Sequence, residues 1–157
     1  MKSRDIALAE LTLRKYERPY KIKGRDLVSK LCLSIGLLQP GDSRDVIVDV
    51  LHVLLIHRKL NAKQIEDEVI AYRKKNKLPM IGIAASNLRR QVRRLRESFL
   101  VEKVGKDYRI TENDTLKHIF DEKVKKFVLN SIVERVEEYV IAVDNEFSVK
   151  EKKGKKE

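Results

Sequence analysis

Apolar positions recur at helical spacing along most of this chain. Ile6, Leu8, Ala9, Leu11, Leu13 and Tyr16 predict a first helix over roughly 4 to 17, ended by Pro19, which lacks a backbone donor and biases its predecessor away from α geometry. After Gly24, the positions Leu27, Val28, Leu31, Cys32 and Ile35 make a short amphipathic helix, stopped by Gly36 and the Pro40-Gly41 pair. A third helix, capped by Asp42 or Ser43, carries Val46, Ile47, Val50, Leu51, Val53, Leu54, Leu55 and Ile56. A face that wide predicts burial nearly all round, at the centre of the domain. Asn61 caps the next helix, in which Ile65, Val69 and Tyr72 share a face that ends near Lys75.

The segment AASNLRRQVRRLRESF, residues 84–99, steps through Leu88, Val92, Leu95 and Phe99 by four, three and four. At 100° per residue these four form one stripe, which predicts a helix with that stripe toward the core and Ser86, Arg90, Arg93 and Glu97 opposite. Arg89 and Arg94 flank the stripe. Directly after it, LVEKVGKDYRIT alternates around Gly105-Lys106-Asp107 and predicts a β-hairpin whose tip carries Lys103, Lys106 and Arg109. A last helix follows a cap among Thr111 to Asp114 and runs to about Phe147, with Leu116, Phe120, Val124, Val128, Ile132, Val136, Val140 and Val143 along its apolar side. Over about 34 residues it spans roughly 50 Å, longer than the domain it leaves.

The expected fold is therefore mainly α with one short hairpin. It divides into an N-terminal helical extension (1–40), a core domain (41–111), a long helix (112–148) and a basic low-complexity tail (149–157) expected to be disordered. With 157 residues, 6 glycines and 3 prolines, one core is the natural size, and a many-turned sandwich or barrel is excluded.

Charge adds a function to this outline. The formal net charge is +11, and it is segregated: residues 84–110 carry eight basic and three acidic side chains, whereas residues 111–149 carry five and nine. The arginine-rich helix holds Arg89, Arg90, Arg93, Arg94 and Arg96 against a single acid, Glu97. Like charges this dense repel in the free protein and favour a polyanionic partner, and arginine's planar fork suits phosphate and guanine edges.

Helix, helix, arginine-rich helix and two-stranded hairpin is an order that resembles the winged helix-turn-helix regulators of bacteria and archaea. The matching pieces are LNAKQIEDEV, SNLRRQVRRLRESFLVEK and VGKDYRITE, within residues 60–111. The link IAYRKKNKLPMIGI is longer than the usual tight turn, and Ser98-Phe99 stands where such proteins often have glycine. The resemblance implies that Ser86, Asn87, Arg89, Arg90, Arg93 and Arg94 enter the major groove of double-stranded DNA and that Lys103, Lys106 and Arg109 approach the backbone or minor groove. The expected function is a dimeric transcriptional regulator. Alternatives are an architectural, partition or replication protein with little sequence preference, and a winged-helix scaffold that binds protein or RNA. The expected dimer element is the long helix, through Val124, Val128, Ile132, Val136, Val140 and Val143, a stripe too large to stay exposed in a monomer.

Other chemistry is expected to be absent. Cys32 is the only cysteine, so neither an internal disulfide nor a cysteine-based zinc site is available, and a reducing setting is implied. His52 and His57 point about 140° apart on a helix, and His118 has no acidic partner at ligand spacing. Ser43, Asp45 and His52 resemble a catalytic triad only as a list, and capping explains the first two. No glycine-rich phosphate loop, membrane-spanning run or secretion signal is present. These readings place the protein in the cytoplasm, associated with the nucleoid, with no enzymatic activity, cofactor, metal or small-molecule substrate.

Overall fold

The computed structural model describes residues 5–156, with side chains to residue 148. Its elements are α1 (Gly24–Ser34), α2 (Val46–His57), β1 (Lys59–Asn61), α3 (Ala62–Lys75), α4 (Ala85–Glu97), β2 (Val101–Val104), β3 (Asp107–Ile110), α5 (Leu116–Ile119), a π-helical stretch (Phe120–Leu129) and α6 (Asn130–Lys156). The expected tail, residues 149–157, lies outside the described side chains. The protein is mainly helical with one small antiparallel sheet, and no described helix is long and apolar enough to cross a membrane.

Helix α2 is the hub. Val46, Ile47, Val48, Val50, Leu51, Val53 and Leu54 are buried, and the helix touches α1, α3, α4 and the sheet; only its last turn emerges, with Ile56 exposed. Helix α3 starts with a capping box, in which Asn61 Oδ1 accepts from Gln64 N at 2.8 Å and Gln64 Oε1 accepts from Asn61 N at 2.9 Å. Leu88, Val92 and Leu95 of α4 are buried against α2, as their spacing requires.

Strand β1 has no counterpart in the sequence reading. Its three residues pair with β3, Leu60 opposite Tyr108, and the sheet order is β1-β3-β2. Three residues are too short for a periodic signal, so this strand exists because the hairpin offers it an edge.

Four expectations are corrected. Residues 6–20 form no helix; they run as an irregular strap over the end of α1. Arg14 N donates to Ser34 O at 2.8 Å and the Arg14 guanidinium to Leu33 O, also at 2.8 Å, so the strap binds the carbonyls at the end of α1. Its approach is so close that a Cβ at Gly36, where φ is +78°, would lie 2.8 Å from Thr12 Cβ. Ile6 and Leu8, and then Leu11 and Leu13, each step by two with a phase shift between the pairs, so the row specifies no single helix or strand face, and long-range hydrogen bonds decide the matter.

Phe99 does not continue the core stripe of α4. It sits beyond the helix end at φ +70° and is 40% exposed, in the left-handed position that ends many helices and that glycine would fill without strain.

Asp45 precedes α2 without capping it, because its carboxylate is drawn into ion pairs described below. The cap of the long helix is Thr115, whose Oγ1 accepts from His118 N at 3.2 Å, after a turn in which Glu112 and Asn113 both have positive φ.

The long helix is not uniformly wound. Leu116, Phe120, Val124, Val128 and Ile132 recur every four residues, a spacing that drifts by about 40° per step on an α-helix of 3.6 residues per turn. Wider turns with i→i+5 bonding drift the other way, so a π-helical stretch between α-helical ones keeps the row facing its own core. Val124 is accordingly buried, and Leu116, Phe120, Val128 and Ile132 are half-buried.

Candidate nucleic-acid interface

The buried Leu88–Val92–Leu95 edge of α4 fixes which side chains the helix shows to solvent. Ser86, Arg89, Arg90, Arg93 and Arg96 are exposed, and among the described residues none of these four arginines has an acidic partner within salt-bridge distance. Among the described residues the group makes one side-chain hydrogen bond, from the Arg90 guanidinium to Asn87 Oδ1 at 2.9 Å. Arg93, Arg96, Lys103 and Lys123 border one depression together with Glu97, Glu102 and Glu112, which brings the outer face of α4 next to the base of the hairpin. On the other side Arg89 and Lys63 share a cleft between the starts of α3 and α4, closed by Tyr108 of β3.

Three of the expected contact residues are committed elsewhere. Asn87 is half-buried; its amide donates to Gly82 O at 2.6 Å and its Oδ1 accepts from Arg90 and Gln91, so it clamps the incoming link onto the first turn of α4. Arg94 is half-buried and donates to Leu37 O at 2.6 Å and Gln91 Oε1 at 2.9 Å, which fastens α4 to the segment after α1. Arg109 is not at the hairpin tip: it lies opposite Glu102 in the β2–β3 register, and its guanidinium is 2.7 Å from Glu102 Oε2. That carboxylate also accepts from Glu112 N at 2.9 Å. This backbone bond, followed by the Arg109 bond and charge, outweighs burial and holds the Glu102 carboxyl below its usual range. Lys106 stands exposed at the turn, and Lys103 lies 5.7 Å over the Tyr108 ring.

No protein-family model, curated protein or solved structure matches the chain. The site's meaning therefore rests on its own geometry and charge.

What positions α4 is a group of charges that the sequence reading passed over. Asp49, fully buried in the middle of α2, accepts from Arg25 Nε at 2.9 Å and from Arg73 at 2.5 Å. Asp45 joins both arginines, at 3.0 Å from Arg25 and 3.2 Å from Arg73. Arg73, 2% exposed, also donates through Nε to Pro79 O at 2.8 Å. Two arginines and two aspartates thus tie α1, α2 and α3 to the link that leads into α4. Burial acts to raise the Asp45 carboxyl, but the bond and charge of Arg25, with the charge of Arg73, hold it below the usual range. The signal was legible: Asp49 is the one charge within VIVDVLHVLLI, and Arg73 continues the Ile65, Val69 row by four.

The histidines divide. His52 packs edge-on to Tyr72 at 5.1 Å, and burial lowers its pKa. His57 lies 3.1 Å from Glu68 Oε2. His118 does have acidic neighbours, contrary to the reading above: Asp114 is hydrogen-bonded to its Nδ1 one turn before, and Glu122 is 3.9 Å from its Nε2 one turn after. Even so, no group of three potential ligands fit to hold a metal occurs among the described residues. Cys32 is fully buried, and burial pushes its thiol up to about 12, which makes it a packing residue.

Proposed function

We propose that the chain is a winged-helix protein that binds double-stranded DNA, with α4 as recognition helix and the β2–β3 hairpin as wing, and that it acts as a transcriptional regulator. The succession α2, β1, α3, α4, β2, β3 with sheet order β1-β3-β2 supports the fold reading. The observation that carries the function is the row of exposed arginines, Arg89, Arg90, Arg93 and Arg96, which form no salt bridge among the described residues and stand on a buried apolar stripe. A row of four arginines with Glu97 as the one acid on its own helix repels itself, an anion laid across it relieves that repulsion, and a groove flanked by phosphates fits the width of one helix. Ser86, Arg89, Arg90 and Arg93 are the residues for base edges and nearby phosphates; Lys103 and Lys106 are those for the backbone beside the wing. Asn87, Arg94 and Arg109 position these elements and do not read the duplex.

The test is fluorescence anisotropy on duplexes, with competitor DNA and at two salt concentrations. Arg90→Ala with Arg93→Ala should leave circular dichroism intact and weaken binding by about 1 to 3 kcal/mol per base-reading arginine. Unchanged affinity in the folded double variant contradicts the assignment. Loss of affinity that is equal on every sequence assigns the same face to an architectural role.

A further inference from the structure

Beyond Leu129 the apolar spacing of the long helix changes. Leu129, Val133, Val136, Val140, Val143 and Phe147 step by four, three, four, three and four, the repeat of a coiled-coil seam, and it starts where the π-helical winding gives way to α6. Unlike the period-four row before it, this one has little of its own chain to face. Val133, Val136, Val140, Val143 and Phe147 are 45%, 55%, 54%, 55% and 66% exposed. The only substantial contact of α6 with another described helix or strand is with the stretch it continues. The strap reaches one flank, where Asp5–Ala9 lie near Ser131, Ile132, Arg135, Val136 and Tyr139, but it covers neither Val140 nor Phe147.

We infer that Leu129, Val133, Val136, Val140, Val143 and Phe147 form a two-helix seam with α6 of a second copy of this chain. The period decides the kind of partner. A 3.5-residue repeat keeps one face in contact with another helix along its whole length, whereas a helix packed on a globular core follows 3.6. The five exposed residues present on the order of 500 Å² on each copy, as much as the largest apolar patch of a typical monomer. Two such faces bury about 1,000 Å² together, the lower bound for a specific interface. Ile6 and Leu8 of the strap, 59% and 93% exposed beside this face, add to it. The seam differs from the one expected from sequence: Val124 is spent on the protein's own core, Val128 and Ile132 lie off the four-three repeat, and Leu129, Val133 and Phe147 take part instead. It does not depend on the DNA-binding reading, because the measurement needs no DNA.

Sedimentation equilibrium of the full chain at micromolar concentration decides it. The expected mass is twice the 18.3 kDa of one chain. Val140→Asp should shift the protein to a single chain with unchanged helicity, since the substituted side chain is exposed in the monomer. Ile141→Asp, equally exposed but off the seam, should leave the dimer whole. A wild-type protein that sediments as one chain overturns the inference, as does a mass of three or four chains. A dimer that survives Val140→Asp, or that Ile141→Asp dissociates, overturns the seam.

Discussion

Asp49 and Arg73 show how one buried charge organises its surroundings. A lone carboxylate inside an apolar helix is untenable unless paired, and here its partners come from α1 and α3. Arg73→Met keeps much of the volume, leaves Asp49 with Arg25 alone and frees Pro79 O. Removing one partner of a buried pair costs about 3 to 5 kcal/mol, so the urea midpoint should drop sharply; a midpoint near wild type would show that the network relaxes. At the surface, the hydrogen bond that the His118 ring donates to the Asp114 carboxylate, and then that carboxylate's charge, raise the His118 pKa above 6.5, while the same bond lowers that of Asp114. Because the folded value of His118 is raised, the stabilisation is fully present below the ordinary histidine value and is lost as pH rises through the folded one. An NMR titration of the His118 ring should therefore give a midpoint above 6.5 in the wild type, moved down by Asp114→Asn. An identical midpoint in the two proteins refutes the pair.

At the scale of elements, α4 and the hairpin behave as one unit. Thr111 Oγ1 donates to Phe99 O at 2.6 Å, and Glu102 ties β2 to Arg109 and to the turn after β3, so the hairpin is braced at its base while Lys106 remains exposed at its tip. A lysine on a braced but exposed tip suits a phosphate contact, which carries no sequence information. Lys106→Ala should lower DNA affinity almost uniformly across sequences and reduce the salt slope by about one. A changed sequence preference at constant slope would place Lys106 on a base instead. The long helix shows the complementary case, in which two spacings along one continuous element, four and then three-and-a-half, mark an inward and an outward face.

For the whole molecule, charge and apolar surface are separated. The basic residues of 84–110 sit on α4 and the hairpin, and the exposed apolar seam lies on α6 in the acidic part of the chain. Separation of this kind lets one surface hold a polyanion while another holds a second copy, and neither has to be vacated for the other. Joined through α6, two copies would present two α4 faces, and the avidity of the pair would exceed the affinity of one face by a factor set by their spacing.

Local pattern determined the central α2, helix α3, the Leu88–Val92–Leu95 stripe of α4, the hairpin and the exposure of Arg90 and Arg93, because each depends on contacts between residues close in sequence and on burial of one stripe; the end of α4 before Phe99 was not among them. The capping box at Asn61 was equally legible, being complete within four residues. The strap, β1, the Arg25–Asp45–Asp49–Arg73 group and the positioning roles of Asn87, Arg94 and Arg109 were decided by tertiary structure. Most of these hinge on a partner distant in the chain: Arg94 bonds a carbonyl 57 residues away and Arg25 a carboxylate 24 residues away. An arginine on an exposed flank and an arginine bonded to a neighbouring loop carry the same sequence signal, and only the position of that loop tells them apart.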